Sequence, residues 1–123
     1  MFEIDIKKDF SAAHFLKGYN GDCANLHGHN WTVEAYITSS SLDQVGIAVD
    51  FRLLKKELLN IINELDHTCL NDLPQFKLQN PTSEIIAQYI YIRLSKIFNS
   101  DTVKVKKVRV CESPGAGATY YEL

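Results

Sequence analysis

The segment Cys23-Ala24-Asn25-Leu26-His27-Gly28-His29-Asn30 sets a thiol four residues before the first of two imidazoles, and sets those imidazoles two residues apart. A third histidine, His14, lies upstream in an apolar stretch, and of the chain's 4 histidines only His67 stands elsewhere. Three histidines are a common catalytic zinc set, because the fourth coordination position stays open for water or substrate. An open metal beside a thiol points to catalysis. Spacing alone leaves two other readings open. The H-x-H pair is consistent with ordinary hydrogen-bonded strand residues, and Cys23 could close a structural zinc site as its fourth ligand.

Periodicity decides whether the three imidazoles can meet. Alternate residues of a strand share a face. Phe2, Ile4, Ile6, Phe10, Ala12 and His14 share one, broken only by Lys8, with Glu3, Asp5, Lys7 and Asp9 opposite. His27, His29, Trp31, Val33, Ala35 and Ile37 share another, opposite Asn30, Thr32 and Glu34. Residues 16–26 connect the two runs, with Gly18 and Gly21 as turn formers. An antiparallel hairpin then brings His14, at the end of one strand, to His27 and His29 at the start of the other. Gly28, between two ligands, leaves the opposite face unobstructed.

Three further positions carry chemistry. Cys23, in a Gly/Asn-rich loop, is a candidate general base, nucleophile or ligand, and a nearby cation would favour its thiolate. Asp66-His67 is a carboxylate beside an imidazole at a helix exit, a pairing that can fix a tautomer for proton transfer. It also simply suits the helix dipole. Glu112 ends a strand face otherwise formed by Val108 and Val110. It is either a solvent-facing strand end or a carboxylate that accepts two parallel N–H bonds from a ring edge. Cys69 and Cys111 lack such neighbours and read as small buried hydrophobes.

The elements that position these residues follow from the pattern. At 123 residues, 46% hydrophobic and 23% charged, residues 1–123 form one domain with enough apolar residues for a core. A net charge of −2 gives no footprint for nucleic acid. The basic cluster Lys104, Lys106, Lys107 and Arg109 reads as a solvated strand edge. No apolar run reaches membrane-spanning length. An odd cysteine number without regular spacing, and an N-terminus unlike a secretory signal, predict a cytoplasmic protein with reduced thiols. Asp50 caps a helix with Phe51, Leu54, Leu58, Ile61, Ile62 and Leu65 at helical spacing, running to about Glu64 or Leu65. Residues 68–80 form a loop. Thr82 caps a second helix, or Asn80 does with Pro81 at the first helical position. Ile86, Ile90, Leu94 and Ile97 form its stripe. A strand through Val108, Val110 and Glu112 follows, then a turn at Ser113–Gly117 and a short strand from Ala118 to Leu123. The order ββααββ predicts an α+β domain, a four-stranded antiparallel sheet with two helices on one face. Its open edges invite closure by assembly.

Taken together, these residues resemble the 6-pyruvoyltetrahydropterin synthase family, and within it the group that forms 6-carboxytetrahydropterin. The resemblance spans F-S-A-A-H ending at His14, C-x-x-x-H-G-H-N from Cys23 to Asn30, and V-D-F from Val49 to Phe51. It continues through L-D-H at Leu65–His67, N-P-T-S-E at Asn80–Glu84 and C-E-S-P at Cys111–Pro114. It implies a tunnelling fold (T-fold) assembled as a homo-hexamer of two trimers, with sites between subunits. It implies Zn2+ on His14, His27 and His29, Cys23 as proton acceptor, Asp66-His67 as its relay, and Glu112 as pterin anchor and relay. Thr82 and Ser83 match positions that help hold the pterin, and Glu84 belongs to the same motif. The implied substrate is 7,8-dihydroneopterin triphosphate, converted to 6-carboxy-5,6,7,8-tetrahydropterin, acetaldehyde and triphosphate on the route to queuosine. The three-residue gap between Cys23 and His27 is similar to that group. Forming 6-pyruvoyltetrahydropterin by triphosphate elimination is the alternative within the family; a non-catalytic pterin-binding zinc module is the alternative outside catalysis. Lys17 and the basic strand are the candidates for the triphosphate.

Overall fold

The computed structural model describes residues 1–123. Strands β1 (Phe2–His14) and β2 (His27–Ser39) form the expected antiparallel hairpin, in a register that opposes His14 to His27 and Ala12 to His29. Helix α1 (Phe51–Ile62) follows, capped by Asp50, whose side chain accepts the Arg52 N–H at 2.8 Å. A two-residue strand β3 (Thr68–Cys69), helix α2 (Ser83–Phe98), and strands β4 (Val103–Ser113) and β5 (Ala116–Tyr120) complete the chain. Thr82 is the cap of α2, accepting the Ile85 N–H at 3.2 Å. Such a cap contributes about 1 kcal/mol.

The sheet has five strands in the order β3-β1-β2-β4-β5, not four, and it is mixed. The additional strand pairs parallel to β1 through Ala12 and Ala13. It forms because α1 ends at Ile62, two or three residues earlier than its periodicity suggests, and tight turns follow. His67 then takes a left-handed backbone (φ 58) and donates its N–H to Ser11 O. That bend lays Thr68-Cys69 alongside β1. Two residues are too few to carry a period, so the sequence pattern reads them as loop. The final hairpin turns at Pro114-Gly115, and β5 begins two residues earlier than predicted.

Both helices cover one face of the sheet, α1 over β1 and α2 over β4 and β5. Between the layers lies one core of 22 buried residues, including Phe10, Trp31, Val33, Leu58, Ile61, Ile90 and Val110. Phe51 and Ile97 fall outside it, at 51% and 46% exposure, although both fit the helical spacing. They sit at or next to a helix terminus, where the cover of the core is incomplete. A bulge opposite Tyr36/Ile37 adds one residue to β4, so Val105 and Val108, three apart, both face the core. The other sheet face carries Asp5, Lys7, Glu34, Lys107 and Arg109 and has no helix over it.

Candidate active site

At the loop end of the first hairpin the three imidazoles converge. His14, His27 and His29 each offer a nitrogen within 4.8 Å of the other two. The register is the cause: His14 opposes His27, and His29 is the next residue on that face. Trp31 floors the cluster. It is fully buried, its ring lies 4.9 Å from that of His14 and 5.2 Å from that of His29, and its indole N–H donates to Ala12 O at 3.1 Å.

The donor set fits a metal by its hydrogen bonding. His14 Nδ1 lies 2.8 Å from Pro81 O, and His27 Nδ1 lies 2.7 Å from Asn25 O. Each carbonyl can only accept, so each fixes an Nδ1–H tautomer and leaves Nε2 with a free lone pair. Nε2 of His14 and of His29 are buried with no hydrogen-bond partner. A buried polar atom left so costs about 1–3 kcal/mol, and a metal would satisfy both. Burial holds the His14 pKa below its ordinary value, against the opposing pull of the Pro81 carbonyl, and the other two imidazoles add to the depression. The neutral imidazole is the ligating form. Cys23 is not part of the cluster. It lies half-buried in a short 3-10 turn, Asp22–Ala24, on the loop joining β1 to β2.

Glu112 reaches the same centre. Its Oε2 lies 3.7 Å from His29 Nε2 and 4.0 Å from His14 Nε2. Parity is the cause: Glu112 shares the core face with Val108 and Val110, and a second bulge, with Cys111 paired to Gly117 and Ser113 to Ala116, leaves it without a partner on β5. Gly117 makes the close pairing possible, since a Cβ there would lie 2.5 Å from Cys111 Sγ. Glu112 also lines a depression of about 390 Å³ with Ser83, Glu84 and Ala116–Ala118. Ser83 and Glu112 are thus brought together. The Thr82 hydroxyl is engaged as the helix cap.

Asp66 and His67 do face each other, with His67 Nδ1 3.0 Å from Asp66 Oδ1. The same Oδ1 accepts the Ser11 N–H at 2.9 Å. That bond, and then His67, hold the Asp66 carboxyl below its ordinary range. The His67 side chain is 82% exposed. It stands in a shallow depression with Ser11, Gly28, Asn30 and Thr68, on the face of the hairpin opposite the three imidazoles. Lys17 lies apart, lining a cavity of about 230 Å³ with Lys77, Asn71 and Asn80. The sequence reading missed the carbonyls of Pro81 and Asn25 and the side chains of Asn71 and Asn80. Only Asn80-Pro81 carried a signal, and it was absorbed by the helix start.

Residues 3–123 match the family model described as 6-pyruvoyl tetrahydropterin synthase. A protein of Synechocystis sp. named 6-carboxy-5,6,7,8-tetrahydropterin synthase is 36% identical, over 94% of this chain and 92% of its own. A protein of Pyrococcus furiosus named dihydroneopterin monophosphate aldolase is 34% identical, over 89% and 88%. The structure of Caenorhabditis elegans 6-pyruvoyl tetrahydropterin synthase superposes with a TM-score of 0.85, covering 99% of this chain and 96% of that one at 28% identity. Three names for three reactions accompany one fold, and a match of this length places the chain in the 6-pyruvoyl tetrahydropterin synthase family.

Proposed function

We propose that this chain is a zinc-dependent 6-carboxy-5,6,7,8-tetrahydropterin synthase acting on 7,8-dihydroneopterin triphosphate, in the service of queuosine synthesis. The observation that carries the proposal is the pair of buried, unpartnered imidazole nitrogens of His14 and His29, with the Glu112 carboxylate 3.7 Å from one of them. His14, His27 and His29 would hold the zinc. When bound, it supplies a Lewis acid with an open position for the substrate's side-chain hydroxyls.

The chain's own residues do the rest. Cys23 takes a proton from the substrate side chain as general base. Asp66 accepts the His67 Nδ1–H and thereby leaves His67 Nε2 as the nitrogen that exchanges the proton. Glu112 accepts ring N–H groups of the pterin, with Ser83 beside it in the same depression. Thr82 contributes by fixing the start of α2. Trp31 keeps the inner side of the imidazoles dry, which strengthens polar contacts there. The exposed His67 and the free edges of β3 and β5 support a site completed in an assembly, a homo-hexamer of two trimers.

The Pyrococcus relative favours a second reading, aldol cleavage of a dihydroneopterin phosphate, and the pyruvoyl-forming reaction is a third. All three begin with held hydroxyls and proton abstraction, so product analysis separates them. Dihydroneopterin triphosphate should give 6-carboxytetrahydropterin and trapped acetaldehyde in equal amounts. Release of 6-pyruvoyltetrahydropterin without acetaldehyde, or of glycolaldehyde phosphates, would overturn the assignment and leave the family intact.

A further inference from the structure

Beyond His14 the chain continues as Phe15-Leu16-Lys17, past the last residue paired with β3. Its backbone polar groups are satisfied by two side chains. Asn71 Oδ1 accepts the Phe15 N–H at 3.0 Å, and Asn71 Nδ2 donates to Phe15 O at 2.9 Å. Asn80 does the same two residues on: its Oδ1 accepts the Lys17 N–H at 2.9 Å and its Nδ2 donates to Lys17 O at 2.9 Å. Each carboxamide gives one residue the two bonds that a neighbouring strand would give it. Between these two residues, the Leu16 N–H donates instead to Cys23 O, at 2.9 Å. The main chains of residues 15 and 17 thus meet the carboxamides, and that of residue 16 meets the thiol loop.

The next residue after Asn80 closes the frame. Pro81 O holds His14 Nδ1 at 2.8 Å. The dipeptide Asn80-Pro81 therefore grips both the buried imidazole and the segment from which the Cys23 loop is suspended. We propose that Asn71 and Asn80 are positioning residues for catalysis, a double carboxamide clasp that sets the Cys23 thiol in register with the His14, His27 and His29 centre. The inference rests on Cys23 acting as the base. The asparagines act on the main chain that carries the thiol loop and not as substrate contacts. Their effect passes through Leu16 to Cys23, and a displacement near 1 Å at a reacting group lowers rate about a hundredfold.

The test uses the zinc-loaded full chain carrying Asn71→Ala, Asn80→Ala, or Asn80→Asp, which retains the acceptor for Lys17 and loses the donor. Where an alanine variant fails to fold, the aspartate variant decides. Each variant should keep its zinc and a KM within about threefold of the parent, while kcat falls on the order of thirty- to a hundredfold. Hydrogen exchange at the Leu16 amide should speed up. Iodoacetamide should alkylate Cys23 at a changed rate relative to the buried Cys111, which serves as internal reference. A merely structural role would lower the melting temperature and leave the kcat-to-KM split and the Cys23-to-Cys111 ratio where they were. Cys23→Ala separates the two failures. Full turnover in that variant would remove the base on which the clasp acts. Loss of turnover there, with parental kcat and unchanged Leu16 exchange in the Asn80 variants, would overturn the clasp alone.

Discussion

Metal binding should raise the melting temperature of this chain by an amount that the three imidazoles control. In the metal-free protein, Nε2 of His14 and of His29 are buried without partners, each at a cost of about 1–3 kcal/mol. Zinc binds the folded centre and finds no such centre in the unfolded chain, so it stabilises by RT ln(1 + [zinc]/Kd), about 4 kcal/mol at a thousandfold excess of free zinc over Kd. For a domain of this size 1 kcal/mol is worth roughly 3–5 °C, so the melting temperature should rise by about 12–20 °C. Thermal unfolding of chelator-treated protein, titrated with buffered zinc, measures the rise directly. His29→Ala should abolish it. The metal-free melting point of that variant should move by only a few degrees, because the ring lost is 23% exposed and its Nε2 had no partner. A rise that persists in a His14, His27 and His29 triple alanine variant would place the metal elsewhere, on the thiols for instance. No rise in the parent protein at any zinc concentration would refute the reasoning.

Other outcomes follow from the same geometry. Cys23→Ala should retain the zinc-dependent rise in melting temperature, because the thiol lies outside the imidazole cluster, and should lose turnover by about a hundredfold or more; loss of the rise would make Cys23 a ligand. Glu112→Gln replaces an acceptor-only group by one with donors, and steady-state kinetics should show substrate binding or turnover weakened by roughly 2–3 kcal/mol. Unchanged kinetics in a folded Glu112→Gln protein would mean that the pterin is anchored elsewhere. Arg93 holds Glu64 below its ordinary carboxylate range through a bidentate pair of 2.9 Å bonds that ties the end of α1 to α2. A depressed carboxylate pKa contributes stability above the unfolded value near 4.3, and the contribution disappears as pH falls through the folded value. Arg93→Ala should therefore cost about 0.5–1 kcal/mol at pH 7, a small figure because both partners are about one-third exposed, and the gap between the melting curves should narrow as pH falls below the unfolded carboxylate value.

Much of the fold was legible because parity and helical spacing are local. Alternation from Phe2 to His14 and from His27 to Ile37 was enough to predict the hairpin, its core face and the meeting of three imidazoles. The helix caps Asp50 and Thr82 were legible because a capping side chain and the N–H it serves lie within three residues. The fifth strand was not, because a two-residue parallel pairing depends on the left-handed turn at His67 and on where β1 happens to lie. Phe51 and Ile97 fitted their stripes and are still half exposed, since spacing says which side of a helix is apolar and not how completely the fold covers its ends.

The site divides along the same line. The proposed ligand set resides in side chains and is visible as His14, His27 and His29. Ligand orientation resides in backbone carbonyls, and a carbonyl is the same in every residue. Pro81 O fixes the tautomer of His14 across 67 positions, and nothing in the letter at 81 announces it. Glu112 is intermediate. Its carboxylate and its face are visible, but the bulge that frees it from β5 depends on Gly117 pairing closely with Cys111, a relation between two strands. The Asp66-His67 pair shows the opposite case. Adjacency in sequence guaranteed nothing, yet the left-handed backbone at His67 brings Nδ1 to the carboxylate, while the Ser11 N–H fixes that carboxylate from the other side. The dyad is therefore oriented by β1, the same strand that ends in His14. One strand thus orients both the first proposed metal ligand and the proposed proton relay, so the register of the first hairpin positions the two together.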